Sequence, residues 1–306
     1  WILRGKDDLA IILNEAGYDV WLGCYRGSNY GLRHVNLTVA DEKFWNFSFH
    51  EHGVYDTPAM IDRILSVTAS AKTAVVAHSM GNAVFMSMLA MRPEYNTKVN
   101  LFVAMAPYAV VQMDISSRVE ALFTGAMPIL RKNVQTDERL DLFVRRKINP
   151  FTSLCLHVPA ACIAIMKRSQ GENVKKIDRK LITVLTAYYT SGTSSKCVEH
   201  LYQLRKGQFR QFDYGNPSGN LAHYNQIEPP RYNLTQVRVP THLYFGVNDT
   251  RVSIKGEAAQ VEALPNVIQS SEIPEFIHLD FIIGNARQVL YDPILEDLRK
   301  YAPTNQ

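Results

Sequence analysis

A serine between two small residues, a distant aspartate and a histidine further on are the side chains of this chain that could carry out nucleophilic catalysis. Ser79 sits in Ala77-His78-Ser79-Met80-Gly81, after the run Thr73-Ala74-Val75-Val76 and before a helix-like stretch from Asn82 to Ala90. A small-x-Ser-x-Gly string between strand and helix makes a sharp turn in which larger flanking side chains would strike the backbone. That turn lifts the hydroxyl above a parallel sheet and aims the backbone N–H of Met80 at the place where negative charge grows on an attacked carbonyl. Asp249 stands in the turn after Thr241 to Gly246, and His278 lies in the loop after Val267 to Ile273. Neutral His278 would take the Ser79 proton during attack on an ester and return it to the departing alcohol. Asp249 would hold the ring tautomer and stabilise the imidazolium.

Other candidates fit plainer roles. Asp280 competes with Asp249 for His278, but a carboxylate two positions away suits a local structural bond. His78 touches the turn itself and is expected to pack or hydrogen bond there. His50 and His52 resemble the start of a metal site, yet no third ligand follows at a sensible spacing, so no metal and no cofactor are expected. Of the four cysteines, Cys24, Cys155, Cys162 and Cys197, none forms a paired C-x-x-C string. Cys155 and Cys162 could bridge one short loop, or all four could be thiols.

The elements that must position these groups alternate. Lys6 to Glu15 reads as a helix stopped by Gly17, and Tyr18 to Leu22 as a buried strand. Pro58 opens a helix over Ala59 to Ala71 with Met60, Ile61, Ile64, Leu65 and Val67 on one face. The strand before Ser79 and its helix come next, then a strand over Leu101 to Met105. From about Val110 to Val237 the rhythm gives way to helix-like segments rich in Leu, Met and Phe. The pattern predicts an α/β fold, a mainly parallel sheet with helices on both faces, in which residues 1–109 and 237–306 form the core and 110–236 an inserted, mostly helical cap. Ser79, Asp249 and His278 follow in the chain order nucleophile, acid, histidine of α/β-hydrolases.

At 306 residues and 46% hydrophobic content the chain can bury a large core. Its 33 basic and 29 acidic residues leave a net charge of +4 without long runs, which argues against a nucleic-acid surface. The apolar stretches Asn100 to Met113 and Val158 to Met166 are too short to cross a bilayer. Sequons at Asn36, Asn46 and Asn233 point to the secretory route, and a fourth at Asn248 is expected to stay unmodified because glycan there would crowd Asp249.

Taken together, the strings resemble the acid lipase family, the gastric, lysosomal acid and insect digestive lipases, with the insect members nearest in character. They are Gly17-Tyr18-Asp19-Val20-Trp21-Leu22-Gly23 with Arg26-Gly27, Phe44-Trp45-Asn46-Phe47-Ser48 through Tyr55-Asp56-Thr57-Pro58-Ala59, and His78-Ser79-Met80-Gly81. Arg92-Pro93-Glu94-Tyr95, Phe212-Asp213-Tyr214-Gly215, His223-Tyr224-Asn225-Gln226, Pro229-Pro230-Arg231-Tyr232, Asn248-Asp249 and His278-Leu279-Asp280-Phe281 extend the likeness nearly end to end. The resemblance implies an α/β-hydrolase fold and the triad roles for Ser79, Asp249 and His278. It also implies an oxyanion N–H from Met80, a lipid-facing lid within about 110–236, neutral-lipid substrates met at a lipid–water interface, and a secreted or lysosomal location. A carboxylesterase for small soluble esters would use the same triad, and a catalytically silent lipid carrier could keep the fold alone.

Three departures stand out against the family. Ala77 replaces the usual first glycine of the serine turn, and Cys24 stands where asparagine is common. Family members also carry, upstream of the residue matching Trp1, a strand ending in His-Gly-Leu or similar that supplies the other oxyanion N–H and lies between the strand at Tyr18 and the one at Thr73. A chain without it is expected to be a poor catalyst, since one missing oxyanion donor costs on the order of 3 kcal/mol of transition-state stabilisation.

Overall fold

The structure, a computed structural model, describes residues 1–110 and 192–302 apart from 206, 253 and 285, with isolated positions between 157 and 181. Near the start, the expected helix over Lys6 to Glu15 is divided. A 3-10 turn covers Gly5–Asp7, Asp8 is extended (φ −95°, ψ 147°), and α1 spans Leu9–Glu15. The break follows from the buried Asp8 carboxylate, which accepts the Arg4 backbone N–H at 2.5 Å. Gly17, at φ 92°, ends the helix: its N–H donates to the Asn14 carbonyl and the Tyr18 N–H to that of Leu13, both at 3.0 Å, the paired bonds of a Schellman motif.

The strand expected over Tyr18 to Leu22 is not one. The segment runs without a ladder partner among the described residues, although Tyr18 and Val20 turn toward the apolar layer while Trp21 and Leu22 stand 43% and 51% exposed. The alternation of a strand holds from Tyr18 to Trp21, but a strand is defined by an adjacent backbone, and among the described residues this segment has none beside it.

A capping box starts the next helical run. Glu51 accepts the Ser48 N–H at 2.6 Å, the Ser48 hydroxyl accepts that of His50, and Phe49–Glu51 leads through a π turn, His52–Asp56, into α2 (Thr57–Thr68). Pro58 sits in its first turn, and Ala69 closes it in the left-handed region at φ 54°, short of the expected end. Ile61 is buried and Leu65 packs on the core, but Val67 is 49% exposed. At about 100° per residue, a position six beyond Ile61 leaves the apolar face.

Among the described residues four strands make one parallel sheet in chain order: β1 (Thr73–His78), β2 (Val99–Met105), β3 (Thr241–Gly246) and β4 (Val267–Ile273). After β1 comes α3 (Met80–Met91), whose residues Asn82 to Leu89 are all buried. β2 shows how the sheet is held. Phe102 and Ala104 enter a cluster with Phe85 and Leu243, while Leu101, Val103 and Met105 enter a second cluster with α1 residues and Tyr244. Both faces are therefore covered, as a parallel sheet requires, and the period-2 alternation of side chains divides one apolar run between two cores.

Most of the expected insertion lies outside the described residues, Cys155 and Cys162 included. Its described part holds α4 (Ser195–Gln203) and α5 (Pro217–Tyr224). Ser194 caps α4, accepting from the Cys197 N–H at 2.9 Å and donating its hydroxyl proton to the Phe47 carbonyl. Cys197, Leu204, Phe209 and Tyr232 share the cluster of α3, and the His200 ring stacks on Phe49 at 3.8 Å. After β3 come α6 (Ile254–Ala263), β4, then α7 (Asp280–Ile283) and α8 (Asp292–Tyr301), the last closing the second core with Ile294, Leu295 and Leu298.

Candidate active site

Ser79 lies between β1 and α3 with φ 55° and ψ −123°, a conformation that costs a non-glycine residue on the order of 1–3 kcal/mol. The surrounding bonds hold it there. Its N–H donates to the Met105 carbonyl at 3.1 Å, and its own carbonyl accepts the Asn82 N–H at 3.0 Å and the Asn82 side-chain amide at 3.1 Å. The same amide donates to the Met105 carbonyl at 2.9 Å, clamping the turn to the end of β2. Small residues meet across the turn: a Cβ added at Gly81 would lie 3.4 Å from the Ala77 methyl, so the bare glycine leaves room for alanine at 77.

Met80 is the first residue of α3, where N–H groups lack intrahelical acceptors, and its N–H stands directly after the serine. Its thioether takes the Cys197 thiol at 3.5 Å, a contact that ties α4 to the turn. Burial pushes that thiol up to about 12, so Cys197 packs and does not react.

The other two candidates converge on Ser79. His278 Nε2 lies 2.7 Å from the Ser79 hydroxyl, which is 199 residues away in the chain, and its Nδ1–H donates to Asp249 Oδ2 at 2.7 Å. Asp249 and His278 are both buried. Asp249's second oxygen accepts the Arg251 N–H at 2.8 Å, fixing the carboxylate plane. The two loops are joined by backbone, the Asn248 N–H donating to the Phe276 carbonyl at 2.9 Å. Asp280 turns elsewhere, accepting the Ile277 N–H at 2.9 Å.

His78, His50 and His52 do not join the side-chain relay. His78 Nε2–H donates to the His278 carbonyl at 2.9 Å. His50 Nδ1 lies 2.8 Å from the Tyr232 hydroxyl, and His52 Nε2 lies 3.3 Å from the Arg26 carbonyl. Among the described residues, no three His, Cys, Asp or Glu side chains are arranged to hold a metal. Sequence reasoning missed Asn82 and the Arg251 N–H. The visible signal for Asn82 was a polar side chain in the first turn of a mostly apolar helix, three residues after the serine.

A second Ser–His–Asp chain exists on the far side of the sheet. Ser271 lies 2.9 Å from His242 Nε2, and His242 Nδ1 is 2.5 Å from Asp297. Ser271, however, sits inside β4 in register with Tyr244, no helix begins after it, and the Gln269 amide also occupies its hydroxyl at 3.2 Å. The side-chain relay recurs there without the strained turn.

A parallel sheet in this order, with reactive side chains gathered beyond the carboxyl ends of its strands, is the architecture of the α/β-hydrolases. Within that class the chain belongs to the acid lipase family of ester hydrolases. It is 34% identical to Lipase 1 of Drosophila melanogaster, over 95% of this chain and 66% of that protein. It is 32% identical to Lipase member N of Mus musculus, over 96% of this chain and 74% of that protein. With the lysosomal acid lipase/cholesteryl ester hydrolase of Homo sapiens it shares 31% identity over 98% of this chain and 76% of that protein. The chain thus spans 66 to 76% of the length of these curated relatives. No family model matches it. Among solved structures, the peroxisomal alpha-beta-hydrolase of Saccharomyces cerevisiae superposes with a TM-score of 0.47 at 15% identity, covering 92% of this chain and 66% of that one.

Proposed function

We propose that the protein hydrolyses carboxylic esters of neutral lipids, acylglycerols or sterol esters, through an acyl-enzyme on Ser79. The observation that carries this reading is the unbroken chain of hydrogen bonds from the Ser79 hydroxyl through His278 to the buried Asp249. As Ser79 Oγ attacks the ester carbonyl, its proton passes to His278 Nε2, and the carbonyl oxygen takes negative charge beside the Met80 N–H. The alcohol leaves with the proton held by His278. Water then repeats the sequence in reverse, His278 drawing off one of its protons, and the fatty acid departs from the restored serine. Asp249 accepts from Nδ1 throughout, which keeps the basic nitrogen facing the serine.

Residues 110–236 form the cap and lid in this reading, and lipid at a lipid–water interface is the partner. Names such as lysosomal acid lipase among the relatives support a lysosomal or secreted location. So do Asn36, Asn46 and Asn233, all exposed and open to glycosylation. No helix among the described residues is long and apolar enough to cross a membrane.

Hydrolysis of triolein, a cholesteryl ester and a series of p-nitrophenyl esters of rising chain length, by the intact protein and by Ser79→Ala, tests the proposal. Activity that rises with acyl length and disappears in Ser79→Ala is expected. A preference for acetate and butyrate esters would indicate a carboxylesterase, and lipid binding without turnover would indicate a carrier.

A further inference from the structure

We propose that His78 is a positioning residue for the base: donating from Nε2 to the His278 backbone carbonyl, it holds the loop that carries the imidazole against the strand that carries the nucleophile. The inference rests on the reading of His278 as general base. Residues 78 and 79 grip His278 at two points, the carbonyl at 2.9 Å and the ring nitrogen at 2.7 Å. No ladder could do this, because β1 and β4 stand at opposite ends of the strand order with β2 and β3 between them.

The loop is already tied on the other side. The Val247 and Asn248 N–H groups donate to the carbonyls of Ile273 and Phe276 at 3.1 and 2.9 Å, securing it to the segment that carries Asp249. On the serine side, the contact between Ser79 and the ring cannot serve as the tie, since that hydroxyl becomes an ester oxygen in the acyl-enzyme. The His78 bond involves only the backbone of His278 and persists through the cycle. Packing supports it: the His78 ring lies 4.8 Å from that of His278 and 6.1 Å from Phe281. Desolvation holds the His78 pKa down, to about 3, so it stays neutral while His278 carries the proton.

His78→Phe keeps a ring without the donor, and His78→Gln keeps a donor of similar reach. In the intact protein, His78→Phe is expected to lose on the order of 10- to 100-fold in kcat on a soluble short-chain ester with KM unchanged, and His78→Gln to recover most of that loss. A second readout needs no turnover. The low-field proton of His278 Nδ1–H, followed by NMR, is expected to shift or broaden in His78→Phe and to persist in His78→Gln. Equal kcat in the two variants, or an unaltered proton resonance in His78→Phe, would overturn the proposal. Ser79→Ala separates the two levels of inference. If it retains ester hydrolysis, the triad reading fails; if it is inactive while His78→Phe is fully active, only the positioning role is lost.

Discussion

Gly246, the last residue of β3, approaches the Phe276 carbonyl so closely that a Cβ there would lie 2.6 Å from the oxygen. Asp249 follows three residues after the glycine, and His278 two residues after the phenylalanine. A single methyl at this point must therefore push apart the two loops that bring carboxylate and imidazole together. Gly246→Ala is expected to lower kcat/KM by about 10²-fold, since displacing a reacting group by roughly 1 Å costs that much. Kinetics on a soluble ester beside a melting curve checks this, with the loss of rate exceeding what the unfolded fraction explains.

Asn82 spends its side-chain amide on the carbonyls of Ser79 and Met105. Asn82→Leu, close in volume, removes both bonds beneath a strained residue. The expected cost is about 1–3 kcal/mol of stability, together with slower labelling of Ser79 by a fluorophosphonate. Calorimetry and labelling rates measure the two effects separately.

Glu257 on α6 is buried, and desolvation, with the Glu272 and Asp249 carboxylates adding, raises its pKa from 4.5 to about 7. The native state therefore keeps a proton that the unfolded chain releases between those values. The associated stability is full below pH 4.5 and is lost as pH rises through about 7. Glu257→Gln carries no such charge and is expected to gain on the order of 1–3 kcal/mol over the natural protein at pH 8, with little difference at pH 4. Urea unfolding at both pH values decides it.

His200 shows the opposite sign. Burial against Phe49 pushes its pKa from 6.5 down to about 3, while its Nε2–H donates to the Arg210 carbonyl at 2.9 Å. The unfolded chain takes up the proton first, so stability falls as pH drops from 6.5 toward 3, by at most about 1.4 kcal/mol per pH unit for one group. His200→Gln is expected to be less stable near neutrality but to show a shallower acid decline between pH 6.5 and 4. Denaturant midpoints across that range measure the slope.

The serine turn could be read from a few residues because its demands are local: a β-branched run, two small neighbours and a following helix within one short segment. The edges of β3 and β4 were legible for a similar reason, since Pro240 and Gly246 bound the first and Pro265-Asn266 and Pro274 the second. Tyr18 to Leu22 misled because alternation reports which way side chains face, while a strand also needs a backbone beside it. Val67 misled because one position off the helical period carries a side chain round to solvent.

By itself the sequence determined the candidate groups and their order, Ser79, then Asp249, then His278, and the strand–turn–helix that carries the first of them. Tertiary structure alone decided that Asp249 and not Asp280 meets the imidazole, that His78 serves the base through its backbone, and that Ser271, with an equally good relay to His242 and Asp297, lacks the turn. Local sequence sets the backbone around each residue. A contact across 199 positions depends instead on how β1, β3 and β4 are ordered and spaced, and that spacing is the sum of the packing on both faces of the sheet.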